Sequence, residues 1–137
     1  TAGLAVPAAL GIPVTHRDFT QGVTLVTGQS RSGKAPDWRA LAAGGTTLVI
    51  YMGMANLPHI VASLIEAGMA ADTPVAVIQQ GTLPTQRAVQ STLAAIAAAV
   101  EAAGIGSPAI VIVGAVAALA RPDCLDTPQT TPLQHAA

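Results

Sequence analysis

The chain has 137 residues, of which 51% are hydrophobic and 9% are charged, so it can build one domain around a substantial buried core. Its formal net charge of −1 argues against a surface that binds nucleic acid or an anionic membrane. The single cysteine, Cys124, cannot form an internal disulfide and predicts a reducing, cytoplasmic compartment.

The chain begins with small apolar residues that predict a short helix. Gly11 is suited to end this helix, and Pro13 cannot continue it. We expect residues 1–13 to be a linker helix from a missing N-terminal domain, packed on something outside this chain. The alternating segment Val23–Gly28 then predicts a strand, and Asp37 is placed to cap a short helix.

The centre of the sequence is Thr46–Gly53, whose run Leu48–Tyr51 predicts a strand buried on both faces. A helix is expected from about Asn56 to Gly68. Its apolar side chains recur with helical spacing along one face: Leu57, Ile60, Val61, Leu64 and Ile65.

Two further apolar runs, Pro74–Ile78 and Ala109–Val113, predict buried strands, with an Ala-rich helix between them that ends near Ala103. Thr85–Thr92 is compatible with an extended segment. The alternation of strands and helices predicts an α/β fold: a layered domain with a central mixed or mostly parallel sheet flanked by helices.

We expect this domain to span residues 1–120. From Arg121 onward prolines alternate with Thr, Gln and Asp, which predicts a disordered tail over residues 121–137.

Two loops that follow strands are candidate ligand walls, because ligands of open α/β sheets bind beyond the carboxyl ends of strands. Met52-Gly53 ends the central strand, and Gly81-Thr82 ends the next one. Adjacent strands would bring both loops to one sheet edge. A methionine at a strand end more often fills a core, however, and a glycine-led loop is often an ordinary turn.

Three adjacent polar residues, His16, Arg17 and Asp18, are compatible with a catalytic group or with a salt-bridged corner. No metal site is expected, since His59 and His135 have no further ligand at suitable spacing. The string Gly104–Ala109 matches G-x-G-x-x-A, but it follows a helix and opens a strand, so it predicts a turn.

Four segments together resemble the uroporphyrinogen-III C-methyltransferases of the tetrapyrrole methylase family. The resemblance covers about residues 1–120, and the segments that carry it are Thr1-Ala2, Gly11–Asp18 (Gly-Ile-Pro-Val-Thr-His-Arg-Asp), Tyr51-Met52-Gly53, and Gly81-Thr82 with Gln86-Arg87.

This resemblance implies two sequential methyl transfers from S-adenosylmethionine to uroporphyrinogen III. The product would be precorrin-2, which leads to sirohaem or cobalamin. It also implies that the cofactor binds in a cleft between two α/β domains and leaves as S-adenosylhomocysteine after methyl transfer. A homodimer is a further implication. The positions that match cofactor contacts are Thr1, Ala2, Met52 and Gly81.

The substrate implied by the resemblance is a polycarboxylate, so cationic and polar residues are candidates to bind it. His16, Arg17, Asp18 and Arg87 match family strings, although no catalytic role follows for them. Arg31 and Lys34 are further cations, and solvated surface charge is the alternative reading for both.

The departure from the family pattern concerns the other half of the site. The Gly-rich cofactor loop and the acid/base residues of the family's N-terminal half have no match here, so we expect the chain alone to be inactive. Two alternatives stay open. One is a non-catalytic module that dimerises through apolar surface; the other is a sister methylase acting on a later corrin intermediate, against which the Thr15–Asp18 string argues.

Overall fold

A mixed five-stranded sheet with helices on both faces forms the fold, and the structure, a computed structural model, describes residues 1–126. The predicted α/β layered fold is thus confirmed. The helices are α1 (Ala2–Ala9), α2 (Trp38–Ala43), α3 (Leu57–Glu66) and α4 (Ile96–Ala103), and the strands are β1 (Val23–Thr27), β2 (Thr47–Tyr51), β3 (Pro74–Gln79), β4 (Arg87–Thr92) and β5 (Ala109–Val113).

The strand order is β1-β2-β5-β3-β4, in which β1 and β2 are parallel and every other neighbouring pair is antiparallel. Because β5 runs opposite to both β2 and β3, these two strands point in the same direction. Tyr51 at the end of β2 pairs with Ile110, and Gln79 at the end of β3 pairs with Ala109. The loops after β2 and β3 therefore meet at one sheet edge, as predicted, although the two strands are not adjacent.

Both faces of the inner strands β2, β5 and β3 are covered, which explains why these three are largely continuous apolar runs. The edge strands β1 and β4 carry polar residues instead. Alternate residues of β2 point to opposite faces. Leu48 and Ile50 face α2, α3 and α4, whereas Val49 faces α1 and the 3-10 helix Ala115–Leu119. The predicted face of α3 is buried at Leu57, Ile60, Val61 and Leu64.

Helix α1 packs on the sheet of this same domain, against β5 and β2. Val6 is 6% exposed and Leu10 is fully buried, and Gly11 ends the helix with a φ of 72°, as expected of a left-handed C-terminal glycine. The expectation that this segment packs on something outside the chain is therefore wrong for these two side chains. Leu4 on the outer face remains exposed.

The domain also extends past residue 120. The Arg121 amide donates a 2.8 Å hydrogen bond to the Leu10 carbonyl, and the Asp126 amide donates a 2.7 Å bond to the Ala88 carbonyl. The predicted disordered tail is therefore wrong over residues 121–126, because these bonds anchor the segment and the side chains of Cys124 and Leu125 pack, partly buried, against the core. The remainder of that predicted tail, residues 127–137, lies outside the described residues.

Within residues 1–126, no helix has the length and apolar character needed to cross a membrane.

Arg87 joins three parts of this fold. Its guanidinium contacts the Asp126 carboxylate at 2.7 Å and donates hydrogen bonds to the carbonyls of Ala103 and Gly104 at 2.5 and 3.4 Å. Those carbonyls end α4, where a cation also complements the helix dipole. Arg87 is therefore committed to internal contacts.

We expect Arg87→Gln to lower the free energy of unfolding by about 1 kcal/mol, since the half-exposed ion pair and two charge-assisted hydrogen bonds are lost together. Urea unfolding measures the change. Arg17→Gln, which removes an exposed arginine with no carboxylate partner in the described residues, is the control and should change stability by less than about 0.5 kcal/mol. Equal effects of the two substitutions would contradict the structural role of Arg87.

Candidate functional site

A cavity of about 490 Å³ opens at the sheet edge where β2 and β3 end. This volume lies in the range of small-molecule sites. The lining has no charged side chain and is mostly apolar. Its residues are Ala2, Val6, Gln29, Tyr51, Met52, Met54, Ala55, Ile78, Gln80, Gly81, Leu83, Ser107, Pro108, Ala109 and Ile110.

The backbone on both sides of the cavity adopts an unusual conformation. Met52 after β2 has a φ of 52°, and Gln80 and Thr82 after β3 have φ values of 49° and 68°. Left-handed backbone at a residue other than glycine costs about 1–3 kcal/mol and concentrates at ligand-binding sites. The Gln86 side chain holds this conformation at Thr82, whose amide donates a 2.7 Å hydrogen bond to Gln86 Oε1.

Two glycines bring the loops after β1 and β2 together. The Gly28 amide donates a 2.6 Å hydrogen bond to the Tyr51 carbonyl. A Cβ at Gly28 would lie 2.8 Å from the Gly53 Cα, so a side chain at Gly28 would force the loops apart. The close packing of these two loops places Gln29 on the cavity wall.

Tyr51 fixes the first turn of α1 over the cavity. Its hydroxyl oxygen accepts a 2.6 Å hydrogen bond from the Gly3 amide and lies 2.6 Å from Thr1 Oγ1. A Cβ at Gly3 would overlap that hydroxyl. Thr1 does not line the cavity itself, but it holds the wall that Ala2 contributes.

The turn that contains His16, Arg17 and Asp18 lies at the opposite sheet edge. His16 pairs with Thr20, whose hydroxyl accepts a 3.2 Å hydrogen bond from the amide of Thr47, the first residue of β2. His16 Nδ1 accepts a bond from the Asp18 amide at 3.1 Å and lies 3.9 Å from its carboxylate. This turn therefore contributes nothing to the cavity.

Of the predicted site residues, the structure brings Ala2, Met52 and Gly81 together in the cavity, with Thr1 one hydrogen bond away. Arg87 is outside it. Sequence reasoning missed Tyr51 as the residue that anchors α1, and it missed Ser107 and Pro108, which reach the cavity because β5 starts at this edge.

The described part of the chain offers no cluster of three His, Cys, Asp or Glu side chains that could bind a metal ion. His59 is exposed on α3, and His135 lies outside the described residues.

Gly81 is required by its contact with α1. A Cβ on Gly81 would overlap the side chain of Val6, so we expect Gly81→Ala to destabilise the domain by about 1–3 kcal/mol through overpacking. Val6→Ala removes the overlapping methyl groups. Urea unfolding measures the free energy of unfolding of both single variants and of the double variant. The double variant should lose less stability than the sum of the two single losses, by more than about 0.5 kcal/mol. Additive losses would show that Val6 does not exclude a side chain at position 81.

Comparison with known proteins identifies the family. The model for tetrapyrrole (corrin/porphyrin) methylases matches residues 1–97. A uroporphyrinogen-III C-methyltransferase of Pseudomonas fluorescens is 50% identical over 117 residues, which are 85% of this chain and 47% of that protein. A siroheme synthase of Azotobacter vinelandii is 49% identical over 120 residues, which are 87% of this chain and 26% of that protein.

A solved structure is similar over the same region. The uroporphyrin-III C-methyltransferase from Thermus thermophilus, crystallised with S-adenosylhomocysteine, matches with a TM-score of 0.71 and 30% identity over 85% of this chain and 48% of that chain. This chain therefore spans about half of that protein, and half or less of both sequence relatives. Since the family model matches most of the chain, the protein belongs to the tetrapyrrole methylase family.

Proposed function

We propose that this chain forms one half of the S-adenosylmethionine cleft of an enzyme that C-methylates uroporphyrinogen III to precorrin-2. The observation that carries this proposal is the cavity at the sheet edge. Three of the four positions that the family resemblance assigns to the cofactor, Ala2, Met52 and Gly81, line it together.

The cavity suits this cofactor chemically. Its walls include Tyr51, Met54 and Ile78, which offer apolar surface for an adenine ring, and the carboxamide of Gln80 and backbone groups of the left-handed loops can hydrogen-bond the polar parts. No lysine or arginine lines the cavity, so the positive charge of a sulfonium meets no repulsive side chain there.

The bound cofactor would supply an electrophilic methyl group on sulfur. The residues of this chain would act by binding and positioning it and by excluding water, which is what methyl transfer chiefly needs from a protein. Met52 is 61% exposed and is placed to contact both the cofactor and a substrate above it. Thr1 and Tyr51 would keep the α1 wall fixed.

Relatives at about half identity named uroporphyrinogen-III C-methyltransferase and siroheme synthase favour uroporphyrinogen III over a later corrin intermediate as substrate. The siroheme synthase also favours sirohaem as a destination of the product, and cobalamin is the other destination that the family resemblance implies. A role for His16, Arg17 and Asp18 in substrate binding would require a partner chain or domain at their end of the sheet, since they lie far from the cavity edge.

A second α/β domain would complete the cleft, because the relatives extend well beyond the matched region. A homodimer and a cytoplasmic location are further parts of this proposal. The exposed Leu4 and Leu25 could contribute to the dimer contact.

We expect this chain to bind S-adenosylhomocysteine in calorimetric titration, and Met52→Asp to weaken binding at least tenfold. The substitution places a carboxylate in an apolar wall. Aspartate tolerates the left-handed backbone at this position, so folding should persist. Leu119→Asp is the matched control, because Leu119 is an exposed leucine outside the cavity.

Equal affinity in all three proteins would contradict the placement of the cofactor. Absence of binding to the unaltered chain would mean that this half does not hold the pocket alone, and a non-catalytic module would then be the better description.

We expect negligible methyl transfer to uroporphyrinogen III by this chain alone, because the acid/base residues implied by the resemblance have no match in it. Transfer of a labelled methyl group from S-adenosylmethionine measures this, with a full-length uroporphyrinogen-III C-methyltransferase as positive control. A rate comparable to the control would contradict the assignment of catalytic groups to another domain.

A further inference from the structure

We propose that the loop over residues 28–36 is a carboxylate-binding arm, in which Arg31 and Lys34 bind the anionic periphery of a polycarboxylated tetrapyrrole beside the cofactor cavity. This inference rests on the proposed function and adds to it the residues that recognise the substrate class.

The loop lies at the cavity edge. It follows β1, whose last residue Thr27 pairs with Tyr51 at the end of β2. Gly28 packs against Gly53, and Gln29 lines the cavity. Arg31 and Lys34 therefore follow a cavity-lining residue closely in the chain.

The loop is folded on itself by internal hydrogen bonds. Thr27 Oγ1 donates to the Gln29 carbonyl at 2.7 Å, and Ser30 Oγ donates to the Lys34 carbonyl at 2.9 Å. The Gly33 amide donates to the Ser30 carbonyl at 3.2 Å, with a φ of 72° at Gly33. This arrangement uses backbone and hydroxyl groups and leaves the side chains of Arg31 and Lys34 exposed.

The charge of the loop is uncompensated. No acidic residue occurs between Asp18 and Asp37. In residues 1–126 the ion pairs are His16–Asp18 and Arg87–Asp126, so neither Arg31 nor Lys34 has a carboxylate partner there. Two cations three residues apart on one short folded loop attract a ligand with several carboxylates more strongly than either does alone.

The other candidate cations are in the wrong place or already engaged. Arg17 is at the opposite sheet edge, beside the amino end of β2. Arg87 binds Asp126, and Arg121 donates a 2.7 Å hydrogen bond to the Ala9 carbonyl. Arg39 is exposed and has no carboxylate partner among residues 1–126, but it lies on α2, outside the loop. Arg31 and Lys34 are therefore the two exposed, unpaired cations on the loop that carries Gln29, a residue of the cavity wall.

The test is a fluorescence titration of this chain with uroporphyrin, the stable oxidised form of the proposed substrate, at low and high salt. Arg31→Gln and Lys34→Gln should each weaken binding about threefold and the double variant about tenfold, as expected for exposed ion pairs. High salt should remove most of this difference. Arg39→Gln is the matched control, since Arg39 is exposed on α2, which packs on α3, and does not line the cavity.

Unchanged affinity in the double variant, an equal loss in Arg39→Gln, or no uroporphyrin binding by the unaltered chain would overturn the proposal. Calorimetry with S-adenosylhomocysteine on the same proteins separates the two hypotheses, because the loop variants should retain cofactor affinity. Loss of cofactor binding in every protein would count against the proposed function itself.

Discussion

The close packing of α1 over the carboxyl edge of the sheet is the constraint on which the cavity depends. Two glycines permit it: Gly3 leaves room for the Tyr51 hydroxyl, and Gly81 leaves room for Val6. Without these contacts the cavity would lose the side that α1 contributes through Ala2 and Val6, and it would be bounded only by the strand ends, the loops that follow β1, β2 and β3 and the loop before β5. Packing at this density tolerates few changes in volume.

At this sheet edge, uncharged groups and cationic groups occupy separate, neighbouring positions. The cavity wall is uncharged, whereas the neighbouring loop carries two cations. Under the proposed function, a cationic cofactor and an anionic substrate would therefore bind side by side without competing for the same groups. Because Arg31 and Lys34 are exposed to solvent, physiological salt would screen their repulsion of a sulfonium beyond about 8 Å, and it would screen the shorter contacts with substrate carboxylates less.

The elements of the fold could be predicted from local patterns, but their arrangement could not. The runs Leu48–Tyr51 and Ala109–Val113 predict buried strands, and Gly104 ends α4 with a φ of 66°. The antiparallel insertion of β5 between β2 and β3 depends on long-range pairing, which leaves no trace in periodicity. The ordered residues 121–126 were missed for a similar reason, since they are held by backbone bonds to Leu10 and Ala88.

Predicting the site depended on the same distinction between local and long-range information. Met52 and Gly81 could be recognised because they end strands, and strand ends of one direction meet at one edge. His16, Arg17 and Asp18 were candidates because these polar residues match a family string, but the chain reaches that turn before β1 begins, at the edge where β1 and β2 start. The sequence placed Tyr51 in a buried strand and in the family segment Tyr51-Met52-Gly53, but it indicated no role for the hydroxyl. Its hydroxyl acquires a role only when Thr1 and Gly3, about fifty residues earlier, fold back onto it, so its contribution follows from the tertiary fold.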